Sequence, residues 1–269
     1  FLLVLYLIGI IILNIYTDFL VYTIQWLVKN LGLEFNYYMK KFILKNNFLY
    51  YFYKKIKILK NSKKNFHLGE FGEDIFVRRF FKSLNNGFYV DVGCYHPVKG
   101  SLTNYLYSKG WTGINIDLSQ VSVDLFNLTR PKDINVRAAI SDFNGETEYY
   151  ENGPINQQNS LDGKVGNKIK IKSYKINDLL DKYKIEKFDY LNIDAEGHDF
   201  KAISNFNFSK YSPSLISIEF NSFDYDHLIE SNIHKLLKDN QYFLASKFGV
   251  TCMYVNNKFK DTMQSLMSI

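Results

Sequence analysis

The sequence predicts an α/β fold, a mostly parallel seven-stranded sheet with an antiparallel C-terminal hairpin, preceded by an N-terminal helix of transmembrane or amphipathic type. Three observations predict it. After residue 66 short apolar runs alternate with helical patterns, the mark of repeated βα units. The last two apolar runs, joined through Gly249, pair as an antiparallel hairpin. Ahead of them residues 1–28 are apolar and 29–65 are basic and aromatic, so the chain divides into a membrane helix, a flank and a domain over 66–269.

In order, residues 71–84 read as a helix leading in, 87–92 as a strand, 102–109 as a helix and 113–116 as a strand. A helix over 121–128 and a strand over 134–140 follow. Residues 145–151 and 168–172 alternate like extended edge segments, around a loop at 152–166 rich in Asn, Gln and Gly. Loops of that length are often functional, and Gln157, Gln158 and Asn159 suit a hydroxyl-rich ligand. Then come a helix at 176–183, a strand at 190–193, a helix at 200–204, a strand at 215–220, a helix at 228–239, and strands at 242–246 and 251–255.

Residues 1–13 are all apolar, glycine or tyrosine, and the run reaches Val28 interrupted by Asn14, Thr17, Asp18, Thr23 and Gln25. As a helix it is roughly 40 Å long at about 1.5 Å per residue, enough for a hydrocarbon core of about 30 Å. Asp18 opposes insertion by a few kcal/mol. A single-pass membrane helix is expected, with a buried or interfacial helix as the other reading. The lysines of the flank, Lys29 to Lys64, place the domain on the cytoplasmic side by the positive-inside rule and suit anionic headgroups. A solvated linker explains the flank as well.

The composition, 46% apolar and 22% charged, is that of a globular chain. The net charge of +6 is unevenly placed. Residues 1–64 hold ten lysines against Asp18 and Glu34, or +8, leaving 23 basic and 25 acidic groups, or −2, for the rest. The domain therefore lacks the basic face that nucleic acid requires. Cys94 and Cys252 have no zinc or dithiol spacing and fit a reducing compartment.

Ligands of open α/β sheets bind beyond the carboxyl ends of the strands, so the strand tips are the places to inspect. The first strand ends Asp91-Val92-Gly93, an acceptor followed by a residue that permits close backbone approach. The second ends in Asp117, placed to accept from both ribose hydroxyls of an adenosine cofactor. The third ends Ala138-Ala139-Ile140-Ser141-Asp142, where Ala139 and Ile140 can flank an adenine and Asp142 can accept from its amino group. Gly93 is not followed by the two further glycines that a dinucleotide pyrophosphate needs. A cofactor with ribose and adenine but no pyrophosphate fits better, which points to S-adenosylmethionine (SAM).

These residues resemble the FkbM-type methyltransferases. The resemblance is carried, in order, by Phe71-Gly72-Glu73-Asp74, by Gly87 to Gly93 with His96-Pro97, by Gly110 to Asp117, by Ala139-Ile140-Ser141-Asp142 and by Asp194-Ala195-Glu196-Gly197, and covers residues 66–256. It implies a class I, Rossmann-like methyltransferase fold, SAM as cofactor bound by Asp91, Gly93, Asp117, Ser141 and Asp142, and oxygen methylation, often of sugar hydroxyls. Glu70 departs from the pattern, which has glutamine there.

Methyl transfer from a sulfonium is an in-line displacement that needs an aligned acceptor and, for a hydroxyl, a proton acceptor. The fourth strand ends Asp194-Ala195-Glu196-Gly197-His198. Asp194 is the first candidate for that role, Glu196 the second and His198 the third. In the competing reading Asp194 caps the next helix and Glu196 favours its dipole. With Glu219, the two acids also suit a hard divalent cation, although no metal is assigned. His96 is a candidate for the cofactor's amino-acid end or a plain exposed loop residue. A sugar or glycan, lipid-linked if the chain is membrane-bound, is the expected acceptor; a silent binding module and an oxidoreductase remain the other classes.

Overall fold

The computed structural model describes residues 42–62, 69–153, 156, 159–163, 166–261 and 263. The run 1–28, expected to be a membrane helix, lies outside them, as do Gln157 and Gln158. Among the described residues no helix is long and apolar enough to cross a membrane. The chain divides into two compact units, residues 1–57 and 58–269. From the basic flank, helix α1 (Asn47–Ser62) carries Lys54, Lys55 and Lys57 over the rings of Tyr50, Tyr51 and Tyr53 at 4.7, 5.5 and 5.8 Å. Each lysine follows its tyrosine by four residues, so basic and aromatic residues of the flank form cation–π pairs one helical turn apart.

The second unit runs α2 (Glu73–Phe80), β1 (Phe88–Val92), α3 (Asn104–Ser108), β2 (Thr112–Asp117), α4 (Gln120–Thr129), β3 (Ile134–Arg137) and β4 (Ala139–Ile140). It continues β5 (Gly145–Glu151), β6 (Asn167–Tyr174), α5 (Ile176–Lys182), β7 (Tyr190–Ile193), α6 (Asp199–Ile203) and β8 (Leu215–Glu219). It closes with α7 (Tyr225–Glu230), α8 (Asn232–Asp239), β9 (Tyr242–Phe248) and β10 (Thr251–Asn256). The large sheet has the order β3-β2-β1-β7-β8-β10-β9. Its first five strands are parallel, and β10 runs antiparallel to both neighbours.

Side chains alternate along these strands and feed two cores. Val90, Val92, Leu191, Ile193, Ile216 and Ile218 pack with Leu179, Ile203 and Leu237 from α5, α6 and α8. Tyr89, Tyr190, Leu215 and Met253 pack with Val77, Phe80 and Leu106 from α2 and α3. Burial of both faces is why the parallel strands read as nearly unbroken apolar runs.

Two predicted elements divide. The run 134–140, predicted as one strand, leaves the large sheet after Ala138, whose N–H donates to the Asp117 carbonyl (3.1 Å). Ala139 and Ile140 then pair with Ser173 and Tyr174, making a second sheet of order β4-β6-β5 that absorbs the predicted edge segments. The predicted helix 228–239 breaks at Ser231, whose backbone is extended and whose Oγ accepts from His234 N (3.1 Å) to cap the next helix.

Candidate active site

Strand β1 sits where the winding reverses, with β2 and β3 on one side and β7 and β8 on the other. Beyond its carboxyl end lies a cleft of about 1040 Å³, its open mouth included, lined by Asp91, Gly93, Asp117, Asp194, Glu196 and His198 among others. The described residues that line it include no lysine or arginine.

The structure does not bring Ser141 or Asp142 to this lining. Ser141 is buried with its Oγ on the Asp142 carboxylate (3.0 Å) and on His198 Nε2 (2.9 Å), and Asp142 is exposed. The apolar wall comes from Ala138, Ile140 and Leu118. Ala139, paired with Ile140 in the sequence reading, packs instead against Tyr149 and Ile171, because consecutive residues of an extended chain face opposite ways.

Gly93 has φ +75°, and a Cβ built on it would lie 1.7 Å from the Asp194 carbonyl oxygen. The close approach expected there is thus to the end of β7, which brings Asp194 beside the end of β1. The turn after Gly93 leads back to Asp117, whose Oδ2 accepts from Tyr95 N (2.8 Å) and Oδ1 from Ser119 N (2.7 Å). Burial pushes the Asp117 carboxyl up to about 6 although both backbone hydrogen bonds favour the anion. Each carboxylate oxygen keeps a lone pair for a further donor.

Asp91 is 2% exposed; its Oδ2 accepts from Thr103 Oγ1 (2.7 Å) and its Oδ1 from Asn192 Nδ2 (2.9 Å). Burial raises its pKa, while Asn192, Thr103 and the charge of Arg130 oppose the rise. A row of polar residues crosses the parallel strands at this level: Asn135, Asn115, Asp91, Asn192 and Ser217 are successive register partners. Asn115 Nδ2 donates to Asn135 (2.8 Å) and Ser217 Oγ to Asn192 (2.5 Å), so the row is hydrogen-bonded at either side of Asp91. The sequence reading does not single out Asn192, Thr103 or Arg130; a signal existed for Asn192 alone, as the one polar residue inside the apolar strand β7, while Thr103 and Arg130 lie outside the strands.

At the β7 end Asp194, Glu196, Asp199 and Glu219 gather. Enclosure by the cleft raises the Asp194 pKa well above the carboxylate range, followed by repulsion from Glu219, Asp199, Glu196 and Asp91. The residue is open on its cleft side, and the four carboxylates alone push in the same direction. Glu196, in the left-handed region at φ +51°, is pushed up to about 7 by burial and then by Glu219, Asp199 and Glu70. Asp199 is likewise pushed up to about 7 by burial and Glu219. The turn 194–198 is braced by Asp199, whose oxygens accept from Ala195 N (2.7 Å) and Gly197 N (3.1 Å); the N-cap of α6 is His198, with no side-chain cap, so Asp194 does not cap that helix. Glu219 Oε2 is buried with no hydrogen-bond partner among the described residues. Among those residues no group of three or more His, Cys, Asp or Glu is disposed to hold a metal ion.

His198 lines the cleft with both ring nitrogens engaged, Nε2 with Ser141 and Nδ1 with Asp162 Oδ2 (2.8 Å). Ser160 Oγ donates to the Glu196 carbonyl (2.9 Å), so residues 159–163 are fastened to the acidic turn. His96 is 1% exposed and outside the lining; its Nδ1 accepts from Val98 N and Lys99 N (3.0 Å each), bracing its own loop.

Residues 91–244 match the family model described as the methyltransferase FkbM domain. A search of curated proteins returns no match. A solved structure titled "Crystal structure of monomeric WbdD" aligns with 14% identity over 69% of this chain and 40% of that one, at a TM-score of 0.37, too loose a likeness to bear on chemistry.

Proposed function

Because this chain belongs to the FkbM methyltransferase family, we propose that its cleft binds SAM and that it methylates a hydroxyl oxygen of a sugar or glycan. The observation that carries the cofactor reading is the charge of the lining. Asp91, Asp117, Asp194, Glu196 and Glu219 face a cleft without a lysine or arginine in view. Such a lining repels the phosphates of a dinucleotide and suits a ligand with cationic sulfonium and ammonium groups. The orphaned Glu219 Oε2 is one further acceptor for a cation or a hydroxyl.

Asp117 holds the ribose hydroxyls, with its carboxylate oriented by Tyr95 N and Ser119 N. Ala138, Ile140 and Leu118 give the base its apolar wall, and Asp91 faces the amino-acid end. When bound, SAM would supply an electrophilic methyl group for in-line displacement, its S–CH3 bond breaking to leave S-adenosylhomocysteine. Asp194, its affinity for protons raised by the carboxylates around it, accepts the hydroxyl proton as the new C–O bond forms. Glu196 and Glu219 accept from neighbouring hydroxyls and orient the acceptor. The test is to incubate the full chain with methyl-labelled SAM and membrane glycan extract: label in a methyl ether of a sugar is expected, and label absent from every glycan fraction would overturn the acceptor assignment.

We also propose that residues 1–28 anchor the chain, with the domain on the cytoplasmic side and the lysine-rich flank near anionic lipid. Protection of the domain from protease added at the cytoplasmic face would overturn that topology.

A further inference from the structure

We propose that Arg130 is a positioning residue for the cofactor half of the cleft: its guanidinium holds the loop 93–103 in binding shape and, through Thr103, fixes the Asp91 carboxylate. The inference rests on the reading of that cleft as the SAM site.

Arg130 follows α4 and is 1% exposed. Its Nη1 donates to Thr103 Oγ1 (2.8 Å) and Tyr89 Oη (3.2 Å), and its Nη2 to the Pro97 carbonyl (2.6 Å) and Ser101 Oγ (2.9 Å). Its carbon centre lies 4.8 Å from the centroid of the Phe126 ring and 5.4 Å from that of Tyr107. Among the described residues it makes no direct ion pair; hydroxyls connect it to two acids. Thr103 accepts from Arg130 and donates to Asp91, and Tyr89 accepts from Arg130 and donates to Asp133 Oδ2 (2.5 Å).

Three of the four acceptors belong to the loop between β1 and α3, whose Gly93, Cys94, Tyr95, Gly100, Ser101 and Leu102 line the cleft. That loop contains Tyr95 at φ +50°, a conformation a non-glycine residue keeps only when its surroundings impose it. Two residues flanking the start of α4 hold Tyr95 itself: Asp117, at the end of β2, accepts from Tyr95 N, and Ser122 Oγ, in the first turn of the helix, donates to the Tyr95 carbonyl. Arg130, just past the end of α4, takes Pro97, Ser101 and Thr103 in the rest of the loop.

A buried cation is a poor device for stability alone, since apolar residues of similar volume commonly serve as well or better. What only arginine supplies is a planar fork able to reach four acceptors at fixed angles. A lysine keeps the charge and donates from a single point. Geometry at the loop, rather than charge or core packing, is therefore the function of this side chain.

The test is calorimetric titration of the full chain with S-adenosylhomocysteine, alongside KM for SAM and kcat, for wild type, Arg130→Lys and Thr103→Val. We expect both variants to bind about tenfold or more weakly, as loss of hydrogen bonds to charged groups implies, with KM rising in parallel and kcat at saturation falling less than threefold. Thr103→Val removes one hydroxyl and keeps the guanidinium, so it carries the test if Arg130→Lys does not fold. A lowered melting temperature with unchanged affinity, or a loss confined to kcat, would overturn the inference while leaving the cofactor assignment intact. Absence of binding by the folded wild type would overturn the cofactor assignment itself.

Discussion

Replacing Gly93 by alanine tests the junction that brings Asp194 to the cleft. The new Cβ would stand 1.7 Å from the Asp194 carbonyl oxygen, where real Cβ atoms essentially never come within 3.0 Å, so the ends of β1 and β7 must part by about 1.3 Å. Three costs add. A side chain at φ +75° costs about 1–2 kcal/mol. Parting the strands stretches the bond from Asp194 N to the Val92 carbonyl (3.0 Å), worth about 1 kcal/mol. Repacking around an inserted atom adds about 1–3 kcal/mol. The control is Gly100→Ala, at φ +72° in the same loop with no atom within 4 Å of its Cβ, which incurs the first cost alone. At about 2–4 °C per kcal/mol for a domain of this size, Gly100→Ala should lower Tm by about 2–8 °C, and Gly93→Ala, at about 3–6 kcal/mol in all, by about 6–24 °C or prevent folding. Equal shifts in the two variants, measured by thermal and urea unfolding, would refute the reasoning.

Four further outcomes are expected. Asp194→Asn abolishes turnover while S-adenosylhomocysteine affinity stays within about threefold, since an amide keeps the shape but cannot take the proton; turnover within tenfold of wild type would remove Asp194 from the mechanism. Because its neighbours raise the Asp194 pKa and the anion is the working form, kcat/KM rises with pH across a range well above that of an ordinary aspartate, and a profile already flat from pH 5 would contradict this. Glu196 and Asp199, each near 7 in the folded chain, hold protons that the unfolded chain releases at lower pH, so their contribution to stability is full below about pH 4 and lost as pH rises through 7. Melting temperature should accordingly fall between pH 5 and 8, and Glu196→Gln should shrink that fall; an unchanged slope would show that Glu196 does not hold the proton. Asp162→Ala, by freeing His198 Nδ1, should increase amide exchange in residues 159–163, while unaltered protection would mean that this hydrogen bond does not fasten the segment.

The parts of the site that the sequence made legible are those that topology places by rule. Asp91, Gly93, Asp117 and Asp194 stand at strand tips, and parallel strands deliver their tips to one edge whatever the details of packing. Ser141 and Asp142 follow a strand tip too, yet they lie off the cleft because the chain changes sheets at Ala138, a choice made by pairing with β6, about 35 residues on. Arg130 left no local trace. It ends a helix, its partners lie 27 to 41 residues earlier, and only packing brings them together. The polar row from Asn135 to Ser217 was readable strand by strand, as a hydrophilic residue inside an apolar run, but only the register shows that these residues meet. Ser231 stops a helix whose apolar periodicity continues through it, so pattern alone joined α7 to α8.

Titration of the wild-type chain and of Asp117→Ala with S-adenosylhomocysteine examines the cleft most directly. Saturable one-to-one binding by the wild type, weakened at least tenfold in the variant, is the predicted result. Binding undiminished by loss of the Asp117 carboxylate would place the cofactor elsewhere and contradict the assignment of this cleft.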